Sequence, residues 1–337
     1  MRRGAWRALG AALLVLAARP AAAADSAVIL AYHRFGEHAY PETNTTVAQF
    51  EAQLAELKRG GYHVLPIPEI LKALAAGTAL PERAIGISID VAYRSVYQNA
   101  WPRLKAAGLP FTLFVDVRPL DGKYKGYMSW DEVRELARAG VAIGNQTLNH
   151  KRLLTLDAAA NRAEIDGAAA RIAAETGRKP TLFAYPYGEY NKAIRDQVAA
   201  LGFAGAFGTQ AGVLHAGADR FALPRMLMNE AYGTADQLRL VARALPLPVA
   251  DVTPADPVIA ANPPTLAFTV APGIEPLERL ACYAAGQGKM AIARTAPRRI
   301  EARLARPLAP GRWRINCTMP AGDGRWRWFG ALFIVAR

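Results

Sequence analysis

Ile87-Ser88-Ile89-Asp90-Val91-Ala92-Tyr93-Arg94-Ser95-Val96-Tyr97 is the stretch on which the fold turns. It begins inside a short apolar run, Ala84 to Ile89, which reads as a buried strand. Tyr93 to Ala107 then reads as a helix. The same change of period recurs on both sides. Upstream, Ala27 to Ala31 is a strand and Val47 to Arg59 a helix with Phe50, Leu54 and Leu57 on one face. Tyr62 to Leu65 is a strand and Ile67 to Ala76 a helix. Downstream, strands at Phe111 to Val115, Val141 to Gly144, Thr181 to Tyr185 and Ala204 to Phe207 alternate with helices. These helices run from Ser129 to Ala139, Ala158 to Thr176, Lys192 to Leu201 and Thr234 to Leu245. Ser129 with Glu132 three residues on is a capping-box start, and Gly177 is a stop signal.

Alternation of this kind predicts a mostly parallel α/β sheet covered by helices. The number of units predicts closure into a distorted (β/α) barrel over residues 25–247. In such barrels chemistry gathers at the C-terminal ends of the strands. His33, Asp90, Gln146, His150 and Tyr187 each stand just past an apolar run and are therefore candidate site residues.

Residues 248–264 carry Pro248, Pro254, Pro257, Pro263 and Pro264 without a helical period and read as a linker. Residues 265–337 change character. Leu266 to Val270, Arg279 to Ala284, Met290 to Thr295, Arg299 to Leu304, Arg312 to Thr318 and Arg325 to Val335 read as strands. They predict a small antiparallel β-sandwich. Cys282 and Cys317 both fall here. They form a disulfide in an oxidising compartment, or remain two buried thiols. Trp313, Trp326, Trp328 and Phe329 serve either as core or as platforms for sugar rings.

Arg2, Arg3 and Arg7, the apolar run Ala8 to Ala18, and the small residues Ala21 to Ala24 predict a signal peptide over residues 1–24. The expected location is the periplasm or cell envelope. The formal charge of the 337 residues is +13, and removing Arg2, Arg3, Arg7 and Arg19 lowers it to +9. A basic exported chain is drawn to anionic wall polymers or lipid headgroups. Export and the lack of a basic–aromatic motif argue against nucleic acid. No later stretch reaches the ~18 apolar residues of a membrane span, so no transmembrane segment is expected in the mature chain.

Four strand-end segments together resemble the polysaccharide deacetylase family (carbohydrate esterase family 4, the NodB homology domain), over about Ala27 to Leu245. Ile87 to Tyr97 is similar to the family's T/S-F-D-D-G-Y motif. Asp90 matches the catalytic base, Val91 stands at the metal-binding Asp, and Ala92 replaces the Gly. Ile143-Gly144-Asn145-Gln146-Thr147-Leu148-Asn149-His150 resembles H-[ST]-x-x-[HS], with His150 at the second metal ligand and Gln146 at the first. Phe183-Ala184-Tyr185-Pro186-Tyr187-Gly188 fits F-x-x-P-[YF]-G. There Pro186 and Tyr187 line the substrate groove and the Tyr187 N–H helps hold the oxyanion. Ala31-Tyr32-His33-Arg34-Phe35 resembles the Y-H-x-[IF] strand of the poly-N-acetylglucosamine deacetylase branch, where the His is the general acid. Leu223-Pro224-Arg225 resembles another recurrent strand, which implies that Arg225 orients Asp90.

The resemblance implies a divalent, zinc-like metal that activates water, a carboxylate base, an oxyanion donor and a His acid. The substrate class is an acetylated polysaccharide or cell-wall glycan, and the reaction is hydrolysis of its acetyl groups. Val91 and Gln146 weaken the metal site, leaving His150 with Gln146. Asp116, just past a strand, is a candidate substitute carboxylate. The alternative is an inactive protein that keeps the groove and binds glycan without turnover.

Overall fold

A computed structural model describes residues 23–336. The expected leader lies outside the described residues apart from Ala23–Ala24, which pair antiparallel with Leu80–Pro81. The barrel strands are β1 (Ser26–Tyr32), β2 (Ala84–Asp90), β3 (Thr112–Val115), β4 (Ala142–Asn145), β5 (Leu182–Ala184), β6 (Gly205–Phe207) and β7 (Met226–Leu227). They lie in the order β6-β5-β4-β3-β2-β1, all parallel, with β7 parallel on the other side of β1. Between them run α1 (Val47–Arg59), α2 (Ile67–Ala76), α3 (Trp101–Ala107), α4 (Trp130–Arg138), α5 (Ala158–Thr176), α6 (Lys192–Ala200) and α7 (Ala235–Ala242). Thr46 and Ser129 cap α1 and α4 with full capping boxes. Each such cap is worth about 1 kcal/mol.

The strands are buried on both faces, which is why they read as continuous apolar runs. Ile29, Phe114 and Phe207 share one cluster with Ile67 and Ile70 of α2. Val28, Leu30, Ile85, Ile87 and Ile89 share another with α1, α3 and α4. The sheet curls until its ends meet at the segment Leu223–Leu227. On one side Leu223 donates to the Ala206 carbonyl (2.9 Å) and its own carbonyl accepts from Gly208 (3.0 Å). On the other side Met226 and Leu227 pair with Leu30 and Ala31 of β1.

One expectation is refined and one corrected. The helix expected from Tyr93 to Ala107 is present over residues 94–107, with a π-helical turn, Val96–Ala100, leading into α3. Pro102 lacks the N–H that a regular α-turn would use, and a wider turn accommodates it. The stretch 248–264, expected as a linker, contributes the strand β8 (Val249–Thr253), which pairs antiparallel with β9 (Thr265–Val270). Val258 also bridges to Ile334. β8 is a sheet-edge strand bounded by prolines, a position that tolerates them.

The C-terminal part is two packed antiparallel sheets. One has the order β8-β9-β12-β11, with β11 at Ala291–Ala296 and β12 at Arg299–Arg303. The other runs through β10 (Ala281–Ala284), β13 (Gly311–Pro320) and β14 (Trp326–Val335). Leu266, Phe268, Ile300, Cys282, Cys317 and Phe333 fill the space between them. Cys282 and Cys317 are directly opposed on β10 and β13 and form a disulfide. The outer face of β14 docks on the barrel, where Leu332 and Ile334 join Leu153, Phe183, Tyr185 and Ile194 in one core.

Gly330 is the tightest point of this docking, because a Cβ there would overlap the Ala211 backbone carbonyl. Backbone cannot swing aside as a flexible side chain does. Gly330→Ala is therefore expected to cost about 1–3 kcal/mol, the range for overpacked sites. Urea unfolding checks this, and a midpoint equal to wild type would contradict the docking.

Candidate functional site

Asp90 ends β2 inside the barrel and is 2% exposed. Arg225, just before β7, is 1% exposed and grips it through two parallel bonds. Nη1 donates to Oδ1 (2.5 Å) and Nη2 to Oδ2 (2.8 Å). The rest of the guanidinium is also used, with Nε donating to the Gly208 carbonyl (3.1 Å) and Nη1 to Ser88 Oγ (3.2 Å). The Phe114 and Phe207 rings flank it, each centroid 5.7 Å away. Burial pushes the Asp90 carboxyl upward, but the charge and hydrogen bonds of Arg225, with His33 and His150 behind them, hold it below the usual carboxylate range.

Gln146 follows β4 and bridges the two positions that distinguish this pocket. Its Nε2 donates to Asp90 Oδ2 (3.3 Å), and its Oε1 accepts from the Val91 N–H (3.1 Å). That N–H also reaches the Phe114 carbonyl (2.9 Å). Val91 is buried and left-handed, with φ 66°. For a β-branched residue this backbone is a true outlier. His33 presents Nε2 at 3.9 Å from Asp90 Oδ2, while its buried Nδ1 has no partner. Burial lowers its pKa, Asp90 opposes this, and Arg225, Arg312 and Arg34 lower it further.

His150 is also left-handed (φ 51°), its N–H held by Thr147 Oγ1 (3.1 Å). Burial pushes its imidazole down to about 4. Its ring stands edge-on to Tyr187, with centroids 4.8 Å apart. Tyr187 sits in the Pro186–Gly188 turn with φ 59° and remains 40% exposed. The Arg152 guanidinium lies 4.2 Å from its ring centroid and is itself paired with Glu189. Tyr187 is thus an exposed aromatic ring braced between His150 and Arg152. Pro186, buried, holds the turn beneath it.

A zinc-like ion needs several N, O or S donors with free lone pairs. The residues here do not fit one. Val91 offers an isopropyl group, both ends of the Gln146 amide are engaged, and both Asp90 oxygens serve Arg225. Asp116, the expected substitute, is not placed to help. It is buried beside Tyr93 and Tyr127, whose phenols are raised by burial first, with the Asp116 charge adding to this. Burial lifts its own carboxyl to about 6, and Oδ1 has no partner. Among the described residues no three His, Cys, Asp or Glu side chains cluster as a metal site.

The sequence brings together Asp90, Arg225, His33, Gln146, His150 and Tyr187 as expected. It does not reveal the two-ended bond of Gln146, or Arg152 behind Tyr187. The aromatic cluster Trp313, Trp326, Trp328 and Phe329 divides. Phe329 packs on Phe268 (5.2 Å) and Trp313 on the same core. Trp328 faces the barrel, donating to Asn316 Oδ1 (3.1 Å), and Trp326 is 39% exposed.

Arg225→Met leaves Asp90 buried without a cation, which is expected to cost about 3–5 kcal/mol. The depressed Asp90 pKa gives wild type a stability that is present above the ordinary carboxylate value and lost as pH falls through the folded one. The variant reverses this sign, since burial then acts nearly alone. Urea unfolding between pH 3 and 8 reads both effects. Asp116 behaves oppositely. Its raised pKa gives stability below the ordinary value that is lost as pH rises through about 6. Asp116→Asn should therefore be the more stable protein at pH 7–8, by on the order of 3 kcal/mol, with a flatter profile between pH 4 and 6.

Comparison with known proteins agrees with this geometry. Residues 77–206 match the family model described as Polysaccharide deacetylase. The Bacillus subtilis (strain 168) protein YxkH, named for the polysaccharide deacetylases, is 25% identical over 181 residues, 54% of this chain and 64% of its own. The Escherichia coli (strain K12) poly-beta-1,6-N-acetyl-D-glucosamine N-deacetylase is 26% identical over 245 residues, 60% of this chain and 36% of its own. The chain thus spans less than two thirds of either curated relative. The structure of IcaB from Ammonifex degensii superimposes with a TM-score of 0.56 at 26% identity, covering 66% of this chain and 98% of that one.

Proposed function

From the premise that the barrel carries a polysaccharide deacetylase domain, we propose that this protein recognises acetylated polysaccharide through its strand-end face, without the deacetylation that its relatives' names describe. The observation that carries this reading is the contrast between the two sides of the pocket. The chemical side is occupied by its own hydrogen bonds, with Asp90 held by Arg225 and Gln146. The recognition side is open and rigid, with Tyr187 exposed and braced by Arg152 and His150. An aromatic face presented this way suits the apolar face of a sugar ring and loses little freedom on binding.

The cell envelope is the proposed place of action. The basic charge, the leader-like N-terminal sequence and the Cys282–Cys317 disulfide support it. The E. coli relative is named for an N-acetylglucosamine polymer. No helix among the described residues is long and apolar enough to cross a membrane.

A second reading, hydrolysis of acetyl groups, is favoured by one observation. His33 keeps Nε2 3.9 Å from Asp90 with its Nδ1 unpartnered, as an acid beside a base would be. Acetate release separates the two. The expected result is binding of N-acetylglucosamine oligomers, about tenfold weaker in Tyr187→Ala, with no acetate released in the presence or absence of zinc or cobalt. The double variant Val91→Asp with Gln146→His is expected to gain a bound metal by elemental analysis. Stoichiometric metal in the wild-type protein together with acetate release would overturn the non-hydrolytic reading.

A further inference from the structure

The sheet that docks on the barrel has two faces, and β13 shows how they divide. Ile315, Cys317 and Met319 are buried between the two C-terminal sheets, and Trp313 packs against them. Side chains alternate along a strand, so Arg312, Arg314 and Asn316 point the other way. Cross-strand register confirms this. Arg312 opposes Ile334 and Arg314 opposes Leu332, the two residues of β14 that pack on the barrel. On β10, Cys282 and Ala284 face the sandwich core and Tyr283 lies on the barrel side, opposite Asn316.

β14 packs on the barrel core through Leu332 and Ile334. The neighbouring strands overhang it and leave a cavity of about 310 Å³. This is the size of a small-ligand site. Tyr283 (43% exposed) lines it from the sheet and Tyr232 (49% exposed) from the barrel. Arg314 and Asn316 line it too. Among the described residues Arg314 has no carboxylate within 4.0 Å and no side-chain hydrogen bond, although the protein pairs most of its other partly buried arginines. Arg225 also lines this cavity while its guanidinium holds Asp90, so the cavity and the barrel pocket share a wall.

The geometry points to a second carbohydrate subsite, built jointly by the barrel and the C-terminal sheet, that takes an acidic sugar unit of the glycan. Tyr232 and Tyr283 are its stacking surfaces. The Arg314 fork receives the sugar carboxylate through paired N–H···O bonds, a geometry guanidinium matches better than ammonium. The Asn316 amide, whose Oδ1 already accepts from Trp328, has its Nδ2 left to donate to a ring hydroxyl. This deepens the reading of the groove as a glycan site and rests on it for the identity of the polymer.

Calorimetry on the full chain tests it with three probes: a galacturonic acid hexamer, a neutral N-acetylglucosamine pentamer and inorganic phosphate. The hexamer is expected to bind with salt-sensitive affinity. Binding should weaken at least tenfold in Arg314→Gln and in Tyr283→Ala, and less in Arg314→Lys, while these variants bind the neutral pentamer as wild type does. Failure of the hexamer to bind at low salt would overturn the subsite, as would binding indifferent to both substitutions. So would phosphate binding as tight as the hexamer's and unaffected by Tyr283→Ala, which would show a bare anion site. If wild type ignores the neutral pentamer yet binds the hexamer through Arg314 and Tyr283, the groove reading fails and the subsite stands.

Discussion

The ion pair between Asp90 and Arg225 crosses the interior of the barrel, and the arrangement of the site follows from it. Arg225 belongs to the segment that closes the sheet, between Gly208 and β1, whereas Asp90 ends β2 on the far side of β1. Their two bonds therefore tie the closing seam to the centre of the sheet. Burying two charges among Phe114 and Phe207 costs several kcal/mol per ion in desolvation, which only a fully satisfied geometry offsets. The guanidinium meets that demand, with Ser88 and the Gly208 carbonyl taking the donors that Asp90 leaves. A carboxylate committed in this way is fixed in position and orientation.

The neighbouring residues are consistent with that commitment. Val91 lies where the backbone turns out of β2 into the left-handed region, at a cost of roughly 1–2 kcal/mol for a residue with a Cβ. The turn persists because its N–H is received by both the Phe114 carbonyl and Gln146 Oε1. A neutral imidazole at position 146 offers one donor and one acceptor in either tautomer, but at fixed reach and angle. An amide supplies both ends on a flexible stem. With no charge at 91 to hold a cation, the amide binds the backbone on one side and Asp90 on the other. The two departures from the family pattern are thus coupled through one hydrogen-bond chain.

The β/α alternation was legible because every barrel strand is buried on both faces and every helix has one apolar face, so the periods differ cleanly. The capping boxes at Thr46 and Ser129 are local chemistry and read equally well for Ser129. The closing segment was less legible. β7 has two residues, and the segment Leu223–Leu227 splits its pairing between β6 at Leu223 and β1 at β7, so no run of apolar residues announces it. The π-helical turn before Trp101 hid behind an unbroken helical pattern that Pro102 alone interrupts. At the site, residue types and order placed Asp90, His33, His150, Tyr187 and Arg225 together. What Gln146 does with its two ends depends on a three-dimensional coincidence, the Val91 N–H lying beside Asp90, which spacing along the chain does not encode. The strand β8 inside the Pro-rich stretch was missed because its pairing partner comes later and lies at a sheet edge.

Alternation along β13 carries a constraint that composition conceals. Trp313, Ile315, Cys317 and Met319 fill the sandwich, so Arg312, Arg314 and Asn316 have no choice of face once the strand is in register with β14. Leu332 and Ile334 are apolar because they meet the barrel core directly. One strand further out, the same face is polar and aromatic, since the barrel surface has curved away and water enters. A guanidinium held there among partly buried neighbours is costly without an anion, because it is partly desolvated and unpaired. Pairing it with a carboxylate of the chain would have been the stabilising solution, as it is for Arg152, Arg195 and Arg298. Arg314, half-buried on this face, has no such partner among the described residues and is left to water or to a bound anion.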